Sequence, residues 1–236
     1  KAMHKLMVMS ATYRQSSAVS PELIERDPAN VLLARGPRFR LDAELVRDSA
    51  LRASGLLTDQ LGGPSVFPPQ PNSVTTEGAY GALQWKTSEG SDRYRRALYT
   101  FAKRTAPFAM NLTFDGSSGE ACLARRDRSN TPLQALTLLN DEVFVEAARS
   151  LGSWAARQEQ PVEATVREVF QRFVARPPSE REAEKIEKFY EAQTERLKNG
   201  DLKASEIMGE EAGEAAAAWT LVARVVLNLD EAITKE

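Results

Sequence analysis

Residues 125–141 read RRDRSNTPLQALTLLND, and this stretch decides the fold class. Thr131 is a good helix N-cap, and Pro132 suits the first helical position because a helix has no use for the N–H it lacks. Gln134, three residues after the cap, completes a capping box. Leu133, Leu136 and Leu139, with Ala135 beside them, then recur at helical spacing. Asn140-Asp141 interrupts the run, and Asp141 can cap a second helix that carries Val143, Phe144, Ala147, Ala148 and Leu151. Two capped helices in succession predict a mainly α chain.

The charge ahead of the first helix needs its own explanation. Arg125, Arg126 and Arg128 sit where free N–H groups and the helix dipole attract anions and disfavour cations. They call for compensation, either by an internal carboxylate such as Asp115 or Glu120 or by a bound anion held with Asn130 and Thr131. The surrounding sequence sharpens the question. Between Arg93 and Arg128 the cations are Arg93, Arg95, Arg96, Lys103, Arg104, Arg125, Arg126 and Arg128, against Asp115, Glu120 and Asp127 alone. Over the whole chain the net charge is −2, yet residues 142–236 hold 13 Lys/Arg against 19 Asp/Glu and the first 141 hold 18 against 14. The first part is therefore basic and the second acidic, as suits an anionic partner for the first.

A second charged cluster, ARGPRFRLDAELVRD, occupies residues 34–48. Arg38 and Arg40 flank Phe39, so an extended backbone points both guanidinium groups to one side. Two such forks suit bidentate capture of carboxylate, sulfate or phosphate. The other reading is that they pair with Asp42, Glu44 or Asp48 and fix the start of the next helix. If both arginine groups bind one anion, Arg38 and Arg40 share a neighbourhood with residues 125–128.

Working outward, helices extend from the opening pattern to Tyr13 and from Ser20-Pro21 to the break at Pro28. A third runs from the Asp42 cap along Leu45, Val46, Ser49, Ala53, Leu56 and Leu57 to a stop at Gly62-Gly63. Residues 62–91 are rich in Gly, Pro, Ser and Thr and read as a long loop. The runs GALQWKT, RALYTFAKR and AMNLTF (81–87, 96–104 and 109–114) carry strand-type residues and predict a small sheet. Trp85, Tyr94, Tyr99 and Phe101 could stack on a sugar ring there, or fill a core. Beyond residue 160, three apolar-periodic runs follow, one opened by a second capping box at Ser179 and Glu182. The fold expected is an irregular helical domain with a long Gly/Pro-rich loop region, a small β element and a C-terminal helical bundle. Residues 1–141 and 142–236 form its two parts, packed as one unit.

Composition narrows the chemistry. The 236 residues include one cysteine, Cys122, and one histidine, His4, which excludes an internal disulfide framework and any multi-thiolate metal site. No CxxCH haem attachment, phosphate-cradling glycine loop, HExxH or GxSxG is present. No apolar run approaches the ~18 residues of a membrane span. Acid/base carboxylates could be drawn from Asp42, Glu44, Asp48, Asp115 and Glu120, but spacing selects no pair. The chain opens in mid-pattern, with Met3, Leu6, Met7 and Ser10 on one helical face, as a piece of a longer polypeptide would.

The blocks SATYRQSS (10–17), LLARGPRFRLDAELVRDSAL (32–51), SGLL (54–57), GGPSV (62–66), YRRALYTFAKRTAP (94–107), TFD (113–115), RSNTPLQALTLLND (128–141) and LNLDE (227–231) together resemble one family. It is the domain of unknown function 1553, found at the C-terminus of exported planctomycete-type proteins. The chain departs from the family pattern at PPQP (68–71, where PYQP is expected) and at FDGS (114–117, where FDAP is expected). The resemblance implies a periplasmic or extracellular protein whose upstream domains include a cytochrome c, with no cofactor in this segment. It also implies that the partners are those upstream domains and an acidic or sulfated glycan, with no nucleic acid among them. No catalytic residues carry over. The function expected is a non-haem accessory or binding module with an anion site built from Arg38, Arg40, Arg104, Arg125, Arg126, Arg128, Asn130 and Thr131. The alternative is an enzyme acting on acidic polysaccharide, or the substrate domain of a haem-linked oxidoreductase.

Overall fold

Local sequence places the helix starts, and the computed structural model, which describes residues 1–71, 85–104 and 107–235, shows what those helices bury. The chain is mainly α-helical, with one two-stranded sheet among the described residues. It divides into two compact units, residues 1–41 with those from Ile233 on, and residues 42–232. The boundary read from charge at 141/142 falls inside the second unit.

In the first unit, α1 spans Ala2–Val8 and α2 spans Pro21–Arg26. The Ser20 hydroxyl accepts from the Leu23 N–H, and Pro21 occupies the first turn, as its position implies. After the break at Pro28, the buried Asp27 carboxylate accepts from Val31 N and Leu32 N at 2.8 Å each. Strand β1, Phe39–Arg40, pairs antiparallel with β2, Thr234–Lys235. The Lys235 ammonium lies 4.8 Å from the Tyr13 ring and 5.5 Å from the Phe39 ring.

The second unit begins with α3, Ala43–Ser54. It stops at Gly55, well before the expected Gly62-Gly63, because Gly55 takes the left-handed conformation (φ 80°) that ends a helix. Leu56 and Leu57 continue the apolar period but not the helix; both turn their N–H groups back to Leu51 O. The short α4 covers Ala109–Thr113, α5 Pro132–Asn140, α6 Glu142–Ala155, α7 Val162–Val174, α8 Glu180–Lys198, α9 Ala204–Met208 and α10 Glu214–Leu227.

The β element is real, but its position is not the one expected. AMNLTF is helix α4, and RALYTFAKR holds a 3-10 turn, Ala97–Tyr99, followed by a single bridge from Thr100 to Val66. Of GALQWKT, residues 81–84 lie outside the described residues and 85–87 form no strand. Their aromatic rings pack in a cluster instead: Trp85 stacks on Phe108 at 5.7 Å, and Phe101 on Phe67 at 4.9 Å. Burial of aromatic side chains satisfies the same composition that strands favour.

Both capping boxes form as read, at Thr131/Gln134 and Ser179/Glu182. The Asp141 side chain caps α6 through Val143 N, and Val143, Phe144, Ala147, Ala148 and Leu151 are all buried. On α5 the buried face is different from the one expected. Gln134 and Leu138 point inward, while Leu133 and Leu136 are exposed.

Helices α6 and α10 cross closely at Gly152. A Cβ there would lie 2.6 Å from Thr220 N and 2.8 Å from Ala216 O, so only glycine allows this approach. Around the crossing, Leu151, Val166, Phe170, Trp219, Val222 and Val226 form the core, with Tyr190 stacked on Trp219 at 4.2 Å. Gly152→Ala therefore meets backbone, and a loss of about 3 kcal/mol in urea melts is expected. Thr131→Ala should cost ~1 kcal/mol. Gln134→Ala should cost more, because its buried amide also donates to Thr113 O at 3.0 Å. The double variant should fall short of the sum, since cap and box act together; strictly additive losses would remove Thr131 as the cap.

Candidate functional site

Arg47 lies on the inner face of α3 and is fully buried. A charge there must be satisfied. Its guanidinium donates to Arg95 O at 2.6 Å and to Arg93 O at 2.8 Å, and burial pushes its pKa down to about 10. Arg95, also buried, donates to the carbonyls of Gly62 and Pro64 and lies 4.0 Å over the Tyr99 ring. Asp48, one turn from Glu44, accepts from Ala97 N at 2.7 Å and from Arg96. These contacts fix the chain over residues 93–97 and set the direction of the segment that carries Lys103 and Arg104.

Arg126 reaches α3 from the other side. It grips Glu44 with a bidentate fork, Nη1 to Oε2 at 2.6 Å and Nη2 to Oε1 at 2.9 Å. Each side chain remains about one-third exposed, at 34% and 33%. The Arg126 hydrogen bond holds the Glu44 carboxyl below its ordinary range, and the Arg126 guanidinium is raised in turn. Compensation for Arg126 is thus internal, and it comes from Glu44, not from Asp115 or Glu120.

Asp115 has another task. Its carboxylate accepts from Ser129 N at 2.7 Å, from Ser129 Oγ at 2.8 Å, and from Gln134 Nε2 at 3.4 Å. It adopts a left-handed backbone (φ 59°), which Asp tolerates better than most residues. The start of α5 thus has a resident carboxylate beside it. Pro132 offers no N–H, and Gln134 N is taken by Thr131. The sequence leaves an internal carboxylate such as Asp115 and a bound anion both open at this helix start, and Asp115 stands beside it.

A cleft of about 540 Å³ opens where α3, residues 97–104 with 107–108, and the turn at Ser117–Gly119 meet. Glu44, Arg126, Lys103, Arg104, Asn111 and Ser118 supply its polar groups. Lys103 is partly buried and Arg104 exposed, and neither makes an ion pair among the described residues. Three cations thus face one carboxylate. Gly116 brings the turn against α4: a Cβ there would lie 2.7 Å from Asn111 O. Thr100 and Asn111 line the cleft, and Thr100 Oγ1 and Asn111 Oδ1 are enclosed without a donor.

The expected site residues distribute as follows. Arg104 and Arg126 come together in the cleft with Glu44. Arg125, Arg128, Asn130 and Thr131 are exposed and do not line it, though Arg128 makes an interaction of its own. Arg38 and Arg40 belong to the first unit, and both are engaged there or elsewhere by side-chain interactions. Of the acid/base candidates, Asp48 and Asp115 are committed to backbone and side-chain donors, while Asp42 and Glu120 are exposed. Lys103, Asn111 and Ser118 were not singled out as ligand groups. Only the basic excess from Arg93 to Arg128 pointed toward Lys103. Tyr99, Trp85 and Phe101 are occupied by internal stacking, and Phe101 alone of the four aromatic candidates also lines the cleft. Cys122 is exposed. Among the described residues no group of His, Cys, Asp and Glu is placed to hold a metal ion, and no helix is long and apolar enough to cross a membrane.

Comparison with known families gives one match. The family described as PSD1, protein of unknown function (DUF1553), matches residues 1–190, and the chain belongs to it. The LNLDE block at 227–231 lies beyond the matched stretch. No curated protein and no solved structure gave a significant match.

The Arg126–Glu44 pair should behave as a half-exposed ion pair. Arg126→Ala and Glu44→Ala should each cost about 1 kcal/mol, with most of it shared in a double-mutant cycle. Because the folded Glu44 carboxyl titrates below its ordinary 4.5, the contribution is complete above that pH and is lost as pH falls through the folded value. Urea melts from neutral pH down to roughly pH 3 should show this loss in the wild type and not in Arg126→Ala; equal acid sensitivity in both would remove the pair as its source.

Proposed function

For a member of a family without an assigned activity, we propose a non-haem accessory or binding module that holds an oxyanion-bearing ligand in the Lys103–Arg104–Arg126 cleft, for recognition of a glycan or a partner domain. The observation that supports this most directly is the pair of uncompensated cations, Lys103 and Arg104, beside the Arg126–Glu44 fork. Elsewhere arginines do pair with carboxylates: Arg93 with Glu142 and Glu146, and Arg176 with Glu182 and Glu231. The hydroxyls of Ser117 and Ser118 hold the turn by accepting from Gly119 N and Glu120 N, which gives the cleft a fixed wall.

A binding role fits better than acid/base hydrolysis. Glycoside cleavage uses two carboxyl groups, one of them protonated. Glu44 is the one carboxylate lining this cleft among the described residues, and its Arg126 partner favours the ionised form. A periplasmic or extracellular setting, with upstream domains of the same polypeptide as partners and a haem in one of them, fits this reading and rests on the family resemblance.

Thermal melts in sulfate against chloride of equal ionic strength test the proposal. A specific oxyanion should stabilise the folded state by ~2.7 kcal/mol at a hundred times its dissociation constant. Lys103→Ala and Arg104→Ala should fold normally and lose most of that protection. Arg125→Ala should keep it, because Arg125 does not line the cleft. Superimposable melts in the two salts would sink the proposal.

A further inference from the structure

The cleft carries two kinds of recognition chemistry, and a bare anion uses only one of them. Lys103 and Arg104 offer charge to an oxyanion. Glu44 offers the opposite. Its two carboxylate oxygens have about four acceptor positions, and the Arg126 fork takes one on each oxygen. The remaining positions sit on a side chain that is 33% exposed. A carboxylate fixed in this way is oriented and ionised, and it is ready to accept from a pair of neighbouring hydroxyls.

The wall adds to this surplus of acceptors. Thr100 and Asn111 line the cleft, and Thr100 Oγ1 and Asn111 Oδ1 are buried with no hydrogen-bond partner among the described residues. A buried acceptor left unsatisfied is costly, so a hydroxyl that reaches it after a side-chain rotation is rewarded. Leu98, 71% exposed, and Pro107 and Phe101 supply apolar surface in the same cleft. Taken together, the lining offers cations for one acidic group, fixed acceptors for hydroxyls, and apolar surface for the C–H face of a ring.

We infer that the ligand is an acidic saccharide, a sugar ring bearing one carboxylate or sulfate group. Its anionic group faces Lys103 and Arg104, and its ring hydroxyls donate to Glu44. This rests on the oxyanion seat proposed above and adds the ligand class and a residue that selects it. Inorganic sulfate, which has no O–H to donate, gains nothing from Glu44 and is repelled by it at close range, whereas a polyhydroxylated acid turns the same carboxylate into an attraction. Glu44 is thus a specificity residue.

Titration calorimetry on the folded chain with two probes of equal charge tests this. One is methyl glucuronide; the other is the same acid with its remaining ring hydroxyls methylated, and sulfate serves as the control anion. Wild-type protein should bind the free glucuronide at least about tenfold more tightly than the methylated acid. In Glu44→Gln that gap should close to about twofold or less, with sulfate bound no more weakly because the repulsion by Glu44 is removed. Equal affinity for the two acids in the wild type overturns the inference without recourse to any variant, which matters if Glu44→Gln fails to fold. If sulfate binds while the two acids are indistinguishable, the ligand class is wrong and the oxyanion seat stands. If sulfate does not bind either, the seat itself is wrong.

Discussion

A buried arginine governs the arrangement of the second unit. Arg47 has no access to water, and it is tolerated because two carbonyl oxygens, of Arg93 and Arg95, converge on its guanidinium. The demand runs both ways. Those carbonyls belong to a stretch whose regular structure is two short 3-10 turns, Gly90–Tyr94 and Ala97–Tyr99, so the arginine supplies hydrogen bonds that a sheet or a longer helix would otherwise provide. Arg95 repeats the device one step further out, collecting carbonyls from the Gly62–Pro64 turn. An irregular region is thereby given a defined path by two side chains, and Lys103 and Arg104 follow on that path.

This explains why the sequence was legible in some places and opaque in others. Helix starts are local events: Thr131 with Gln134, Ser179 with Glu182, and Ser20 with Pro21 each carry their instructions within four residues. The face a helix buries is not local. Leu133 and Leu136 look like core residues on α5, yet Gln134 takes the inward position because its amide bonds Thr113 O and Ser129 Oγ, which no periodicity reveals. Similarly, Arg47 reads as ordinary surface charge on α3, flanked as it is by Val46 and Asp48. Its carbonyl partners lie 46 and 48 residues away.

The candidate site shows the same division. A cluster of arginines before a capped helix signals a demand for negative charge, and that reading was sound in kind. What sequence could not supply was the identity of the partner. Glu44 is 82 residues from Arg126, and Asp115 accepts from Ser129 and Gln134. Sequence counts charges; only geometry pairs them. Once the pairs are drawn, the cations that line the cleft with no ion pair among the described residues are Lys103 and Arg104, which are less conspicuous in the sequence than the RRDR run.

The placement of Asp115 has a consequence for selectivity. A helix start is an indiscriminate attractor, open to chloride, phosphate or any passing carboxylate. Here Asp115 flanks that start, held by Ser129 N, Ser129 Oγ and the Gln134 side-chain amide, while the Thr131 hydroxyl takes Gln134 N. A small anion that approaches this position meets a like charge already held in place. An anion therefore finds less attraction here than at a helix start with no carboxylate beside it.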